Sequence, residues 1–439
     1  MPEATAAEPA TKPDRSAEIR RIALATYFGT ALEWYDYFIY GTAAALVFPA
    51  LFFPALDPVI GVIASLVTFA LGFVARPVGA VIFGHIGDRL GRRAALIGTV
   101  TLMGVATGLI GLLPSYQTIG IAAPIILAVL RLLQGISAGG EWTGAALLAI
   151  EHAPPEQRGR YAAVPQLGSP TATLVSSGVF AVLTLLPEEM FQSWVWRVPF
   201  LAAFVLLAIA LYLRVKVEES PLFRAALAEQ KEEKLPVLET IRTAWGRLII
   251  GGAAYLAGTA AFFVLTTFMI GYISKSLKLS STLALNATLV GAVVEILVII
   301  VAGRLADRIG AAKVCVIGAT ISVLVAFPVF WLVDTKVPVL VIAGVSLGIG
   351  AISIPYGPIG VALSVMFPAR LRYSGVALSV GLANILAGFG PLAGTWALGA
   401  TGGQSWGPAL LLALIAFITL VGSVGAHRVS RRAPEWDAV

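Results

Sequence analysis

Six ionisable side chains stand inside long apolar stretches of this 439-residue chain: Glu33, Asp36, Arg76, Arg131, Glu141 and Glu295. A charge at the centre of a membrane helix costs at least about 2.5–3.5 kcal/mol on insertion scales, so each must face protein or water and is a candidate for function. On a helix, Thr26, Gly29, Thr30, Glu33, Asp36, Tyr37 and Tyr40 fall in one stripe, and a polar stripe in an apolar span is expected to face a pore. Burial raises a carboxyl pKa and a nearby arginine lowers it, so an acid there can load and release a proton as its surroundings change. Asp36 is the expected carrier, with Glu33 coupled to it. Arg131 presents a guanidinium that can hold a substrate carboxylate bidentately, with a standing ion pair to the first-span acids or Glu141 as the alternative. Gln134 and Trp142 share its side of the helix. Arg76 lies roughly 25 Å along an inward-running span, which suits snorkelling or gate pairing as well as substrate binding. Glu141 fits a gate or a helix pair, and Glu295 is the lone span charge of the second half.

These side chains need elements to hold them, and the composition says which kind. Hydrophobic residues make up 58% and charged residues 12% of the chain, with a mean hydropathy of +0.89. Soluble domains carry about 25% charged residues, so the expected solvent is a bilayer. Apolar segments of the roughly 20 residues that a span needs occur near 22–48, 59–83, 94–113, 119–150, 161–186 and 194–213. They recur near 248–274, 281–302, 314–333, 337–367, 373–400 and 406–426. The prediction is an all-α membrane protein of twelve transmembrane helices. Glycine pairs Gly104/Gly108, Gly140/Gly144, Gly344/Gly348 and Gly390/Gly394 suit close helix packing in lipid. The apolar stretch after Arg20-Arg21 exceeds the roughly 7–15 residues of a signal-peptide core and reads as an uncleaved first span.

Orientation follows from the basic residues. With the N-terminus inside, 24 of the 30 arginines and lysines fall on inner segments and only Lys275, Lys278, Lys336 and Arg197 on the outer side. Both termini are therefore expected in the cytoplasm. One cysteine, Cys315, and three scattered histidines, His85, His152 and His427, disfavour a metal centre, and no basic aromatic module suits nucleic acid. There is no G-x-S-x-G elbow or phosphate-binding glycine loop, so no catalytic residues and no cofactor are expected.

The chain also repeats. Gly84 to Arg93 and Gly303 to Lys313 are similar inner loops 219 residues apart, and Arg160-Tyr161 echoes Arg372-Tyr373. The domain reading is a cytoplasmic tail over 1–21, a six-helix bundle over 22–213, a cytoplasmic linker over 214–247, a second bundle over 248–426 and a tail over 427–439. Two parallel six-helix halves around a midplane site form a transporter architecture. Helix breakers mark where backbone groups come free to line a cavity. Pro165 and Pro170 flank Gln166, Pro355 and Pro358 flank Tyr356, and Gly388, Gly390 and Pro391 follow Asn384. With Tyr37, Tyr40 and Trp142 they are the expected pocket.

The Gly84 to Arg93 loop resembles the motif between the second and third spans of the major facilitator superfamily. More narrowly, the chain resembles the metabolite:proton symporter family, whose members take up shikimate, 2-oxoglutarate, citrate, or proline and betaine. The strings are Glu33-Trp34-Tyr35-Asp36-Tyr37, Arg76-Pro77, Gly84-His85-Ile86-Gly87-Asp88-Arg89, Arg131 with Gln134-Gly135, Gly139-Gly140-Glu141, Glu219-Ser220-Pro221 and Arg372-Tyr373-Ser374-Gly375. The first four spans look most like shikimate-type carriers. In the second half Ala311-Ala312 replaces the basic pair of the repeated loop. The resemblance implies an inner gate, for which Gly84, Asp88, Arg89, Arg92, Glu141, Asp307 and Arg308 are the candidates; a carboxylate there can cap a helix N-terminus across the seam. The expected function is proton-coupled uptake of a small carboxylate by a single chain in the plasma (inner) membrane, with the proton as coupling ion. A zwitterionic osmolyte such as proline or betaine is the alternative substrate.

Overall fold

The computed structural model describes residues 15–90, 92–139, 146–147, 150, 153–215 and 236–432. Of these, residues 15–23, 25–26, 29, 84–85, 87–90, 92–96, 210, 212–215, 236–239, 369–370 and 432 are described by their backbone alone. Among the described residues there are helices and connecting turns and no strand. The first span is Arg15–Leu46 and the second Pro58–Val74 continued by Arg76–Leu90. The third is Arg92–Leu112, the fourth Ala122–Ser137 in its described part, the fifth Arg158–Gln166 with Gly168–Leu183, and the sixth Val198–Val215. The seventh starts as Pro236–Tyr255, followed by Ser281–Ile309, Ala311–Asp334 and the tenth span, Pro338–Tyr356 with Ile359–Ser364. Ala369–Gly388 and Gly390–Ala400 form an eleventh span bent by 40°, and Trp406–Arg432 is the twelfth.

Local chemistry sets these limits. Pro58 opens the second span where its missing N–H is harmless, and Asp57 caps that helix by accepting from the Val59 N–H at 2.9 Å. Ser280 caps the eighth span through the Leu283 N–H at 3.1 Å. Exposed Val81, Leu324, Val339 and Trp396 clothe the outside in apolar surface, which a bilayer covers and water would not.

Glycines let the spans touch. Gly104 and Gly108 seat Leu207 and Phe204 of the sixth span, Gly344 and Gly348 receive residues of the ninth and seventh, and Gly390 and Gly394 lie against Ala260 and Phe268. Gly140 and Gly144 lie outside the described residues. Between the second and fourth spans the approach is backbone to backbone, at Gly72 with Gly135 and at Gly79 and Gly139. A Cβ on Gly72 would sit 2.6 Å from the Arg131 Nε, so only glycine leaves room for that guanidinium.

The two halves meet along aromatic and polar seams. Trp34 and Phe38 of the first span pack on Phe262 and Phe263 of the seventh, with ring centroids 5.5–6.2 Å apart. The fifth and eighth spans are joined by Thr184 with Thr282 at 3.3 Å and by Thr288 donating to Ser177 at 3.1 Å. The seventh span holds a break that no proline announces. After Tyr255 it passes through a 3₁₀ turn at Leu256–Gly258 and two π turns, Val264–Phe268 and Tyr272–Ser276. Thr419 of the twelfth span accepts the Ala257 N–H at 2.9 Å, satisfying a donor near the break.

Candidate functional site

Asp36 and Arg131 form the centre of the site. They approach to 3.5 Å, with side chains 4% and 0% exposed. Asp36 Oδ1 accepts from Gln134 Nε2 at 2.6 Å and from the Thr107 hydroxyl of the third span. Arg131 donates from Nη1 to Gln134 Oε1 at 3.1 Å and from Nε to the Phe69 carbonyl at 3.3 Å, while its buried Nη2 has no hydrogen-bond partner among the described residues. Its guanidinium carbon lies 4.2 Å from the Tyr40 ring centroid, 5.1 Å from Phe69 and 5.2 Å from Tyr37. A second pair, Glu33 with Arg76, adjoins the first, and Arg76 also lies 5.2 Å from the Tyr37 ring. Tyr37 thus stands between two guanidiniums, stacked on Phe73 at 4.9 Å. Tyr40 donates to Thr68 at 2.8 Å.

This arrangement corrects the pore-facing expectation. The acids of the first span point into their own half, toward the second, third and fourth spans, and the side of that helix turned to the other half is aromatic. Most of the polar groups satisfy one another there, Arg131 Nη2 excepted. A cavity bordered by Leu32, Glu33, Asp36, Thr107, Ser137 and Leu206 opens on the remaining side, between the first, third and sixth spans. Arg76 pairs with Glu33, one of the roles expected for it beside substrate binding. Gln134, expected as a substrate ligand, is engaged by Asp36 and Arg131.

The other candidates are scattered. Gln166 donates to the Tyr356 carbonyl at 3.1 Å, and Cys315 donates to the Pro355 carbonyl at 3.4 Å. The acceptors at the proline break are thus taken by side chains and are not left to line a cavity. Asn384 is half-buried on the eleventh span with no hydrogen bond to this cluster among the described residues. Asp307 accepts the Gly159 N–H at 2.7 Å, in the first turn of the fifth span, and pairs with Arg160 at 3.0 Å. Arg308 is exposed, and the cation on Asp307 is Arg160, which belongs to the Arg-Tyr echo. Trp142 and Glu141 lie outside the described residues, as do the side chains of Gly84, Asp88, Arg89 and Arg92. Sequence reasoning missed Thr107, Phe69 and Phe73; the signal for Thr107 was a hydroxyl between the Gly104/Gly108 pair.

Buried acid–base pairs held midway along a helical bundle, with a seam between two halves, define a membrane carrier of small solutes. The chain belongs to the sugar (and other) transporter family of the major facilitator superfamily, whose pattern matches residues 22–248 and 228–426. It is 41% identical to the inner membrane metabolite transport protein YhjE of Escherichia coli, over 93% of this chain and 94% of that one. The shikimate transporter of Escherichia coli is 37% identical over 86% and 88%, and the proline/betaine transporter of Salmonella typhimurium 32% over 94% and 85%. Among solved structures, a D-xylose-proton symporter aligns with a TM-score of 0.67 over 95% of this chain and 99% of its own, at 19% identity, which speaks for the twelve-helix fold alone. The protein is therefore a multi-pass membrane transporter of metabolites and not an enzyme.

Proposed function

We propose that the chain imports a small organic acid, shikimate-like or another monocarboxylate, together with a proton. It would act as a single chain in the inner membrane with both termini in the cytoplasm. The observation that carries the reading is Arg131, fully buried, balanced by Asp36 and left with one nitrogen unpaired among the described residues. Protonation of Asp36 removes the countercharge, and a buried cation then needs another anion. A substrate carboxylate supplies it, and Nη2 is the donor waiting for it. Proton and monoanion enter together, so no net charge crosses and uptake follows the pH gradient more than voltage. The 37% identity to a shikimate transporter supports the substrate class.

The proline/betaine relatives favour a second reading, uptake of a zwitterionic osmolyte whose ammonium sits among the aromatic rings. It ranks lower because those rings are already occupied by the Arg131 guanidinium. The test is uptake into proteoliposomes under an imposed pH gradient, offering shikimate, aromatic monocarboxylates, 2-oxoglutarate, citrate, proline and betaine. Accumulation of a monocarboxylate is expected, and accumulation of proline and betaine alone moves the assignment to the second reading.

A further inference from the structure

Glu295 lies at the middle of the eighth span, 14 residues after Ser281 and 14 before Ile309. It is 1% exposed, and neither carboxyl oxygen has a hydrogen-bond partner among the described residues. It faces the other half of the molecule. Ser169 of the fifth span stands opposite, on the same helix side as the buried Thr173 and Ser176, and the buried Tyr356 of the tenth span lies within electrostatic reach. Tyr356 is itself within electrostatic reach of Tyr255 and Arg76. Among the described residues, no lysine, arginine or histidine pairs with Glu295 from the fifth, seventh, ninth or tenth spans. Asp36 contrasts with it at every point, having a cation and two further donors.

A carboxylate so enclosed is shut off from bulk solvent and has no countercharge among the described residues, and the neutral acid is the form such a site tolerates. The enclosure depends on the seam, because Ser169 belongs to one half and Glu295 to the other. We propose that Glu295 is a second proton-binding site, which takes a proton from water while the seam between the fifth and eighth spans is open and must hold it for the seam to close. Reopening at either end returns the proton to water. No covalent bond other than the O–H is made or broken. The inference deepens the proton-coupled reading and rests on it for the rocking of the halves, but not for the assignment of Asp36.

The experiment follows seam closure against pH in the full chain, reconstituted without substrate. Spin labels go on Leu185→Cys with Asn286→Cys at one end and Glu156→Cys with Ile309→Cys at the other, while the native Cys315 is buried and stays unlabelled. One linked proton makes the closed-to-open ratio rise about tenfold per unit fall in pH. E295Q, neutral at every pH, is expected to keep both distances short throughout. The same titration in E295Q and wild type overturns the proposal, as does closure driven by sodium at constant pH. Should E295Q not fold, infrared difference spectra decide: the wild type is expected to lose the carbonyl band of a buried acid on alkalinisation, with that band displaced in S169A, and absence of the band overturns the proposal. Uptake indifferent to a pH gradient, with the E295Q contrast intact, removes the proposed function and leaves this site standing. Uptake sensitive to D36N with labels indifferent to E295Q does the reverse.

Discussion

Asp36 and Arg131 are each other's solvent. Taking one away leaves a bare charge in a site that is 0–4% exposed, which generally costs about 3–5 kcal/mol. Arg131→Met is therefore expected to lower the thermal unfolding midpoint in detergent strongly, and adding Asp36→Asn to recover much of the loss, since the pair then leaves no charge behind. A double variant destabilised by the full sum of the two single effects would deny that the two are coupled. Asp36→Asn alone is expected to exchange substrate across the membrane but not to concentrate it when driven by a proton gradient. Accumulation undiminished by that substitution refutes Asp36 as carrier. Glu33 and Arg76 are a parallel pair with one difference: Arg76 retains 14% exposure, so its loss is expected to be milder.

Much of this was legible as elements. Among the described residues every apolar stretch became a helix or a broken helix, and the prolines near Gln166 and Tyr356 do mark breaks. Hydropathy reports how long a segment is and what covers it, but not which way a helix is turned, and the rotation of the first span decided the site. Glu33 and Asp36 turn inward because Thr107, Gln134 and the two arginines satisfy them, leaving Trp34 and Phe38 for the seam. The seventh-span break was hidden because π turns carry no proline signature. Gly72 is where element and site join. Gly72→Val is expected to displace Arg131 and destabilise by about 1–3 kcal/mol, the usual range for overpacking, and unfolding midpoints measure it. An unchanged midpoint contradicts the close approach.

Across the whole molecule, the fifth–eighth seam is closed at both ends, by Thr184 with Thr282 and by Asp307 on the Gly159 N–H. Asp307 caps the fifth span from the other half, so closing the seam there also completes a helix end. Losing a cap costs about 0.5–2 kcal/mol, and 1.4 kcal/mol is tenfold in an equilibrium. Asp307→Ala is expected to shift the halves toward opening at that end by about two- to thirtyfold, read as a larger separated fraction between spin labels on Glu156→Cys and Ile309→Cys. An unaltered distance distribution would show that the cap does not hold this end of the seam. The aromatic contact of Trp34 and Phe38 with Phe262 and Phe263 has a thermal consequence. Parting the halves wets those rings, and hydrating apolar surface raises the heat capacity. If that parting limits turnover, a plot of log rate against reciprocal temperature bends, and replacing Phe262 and Phe263 with alanine straightens it.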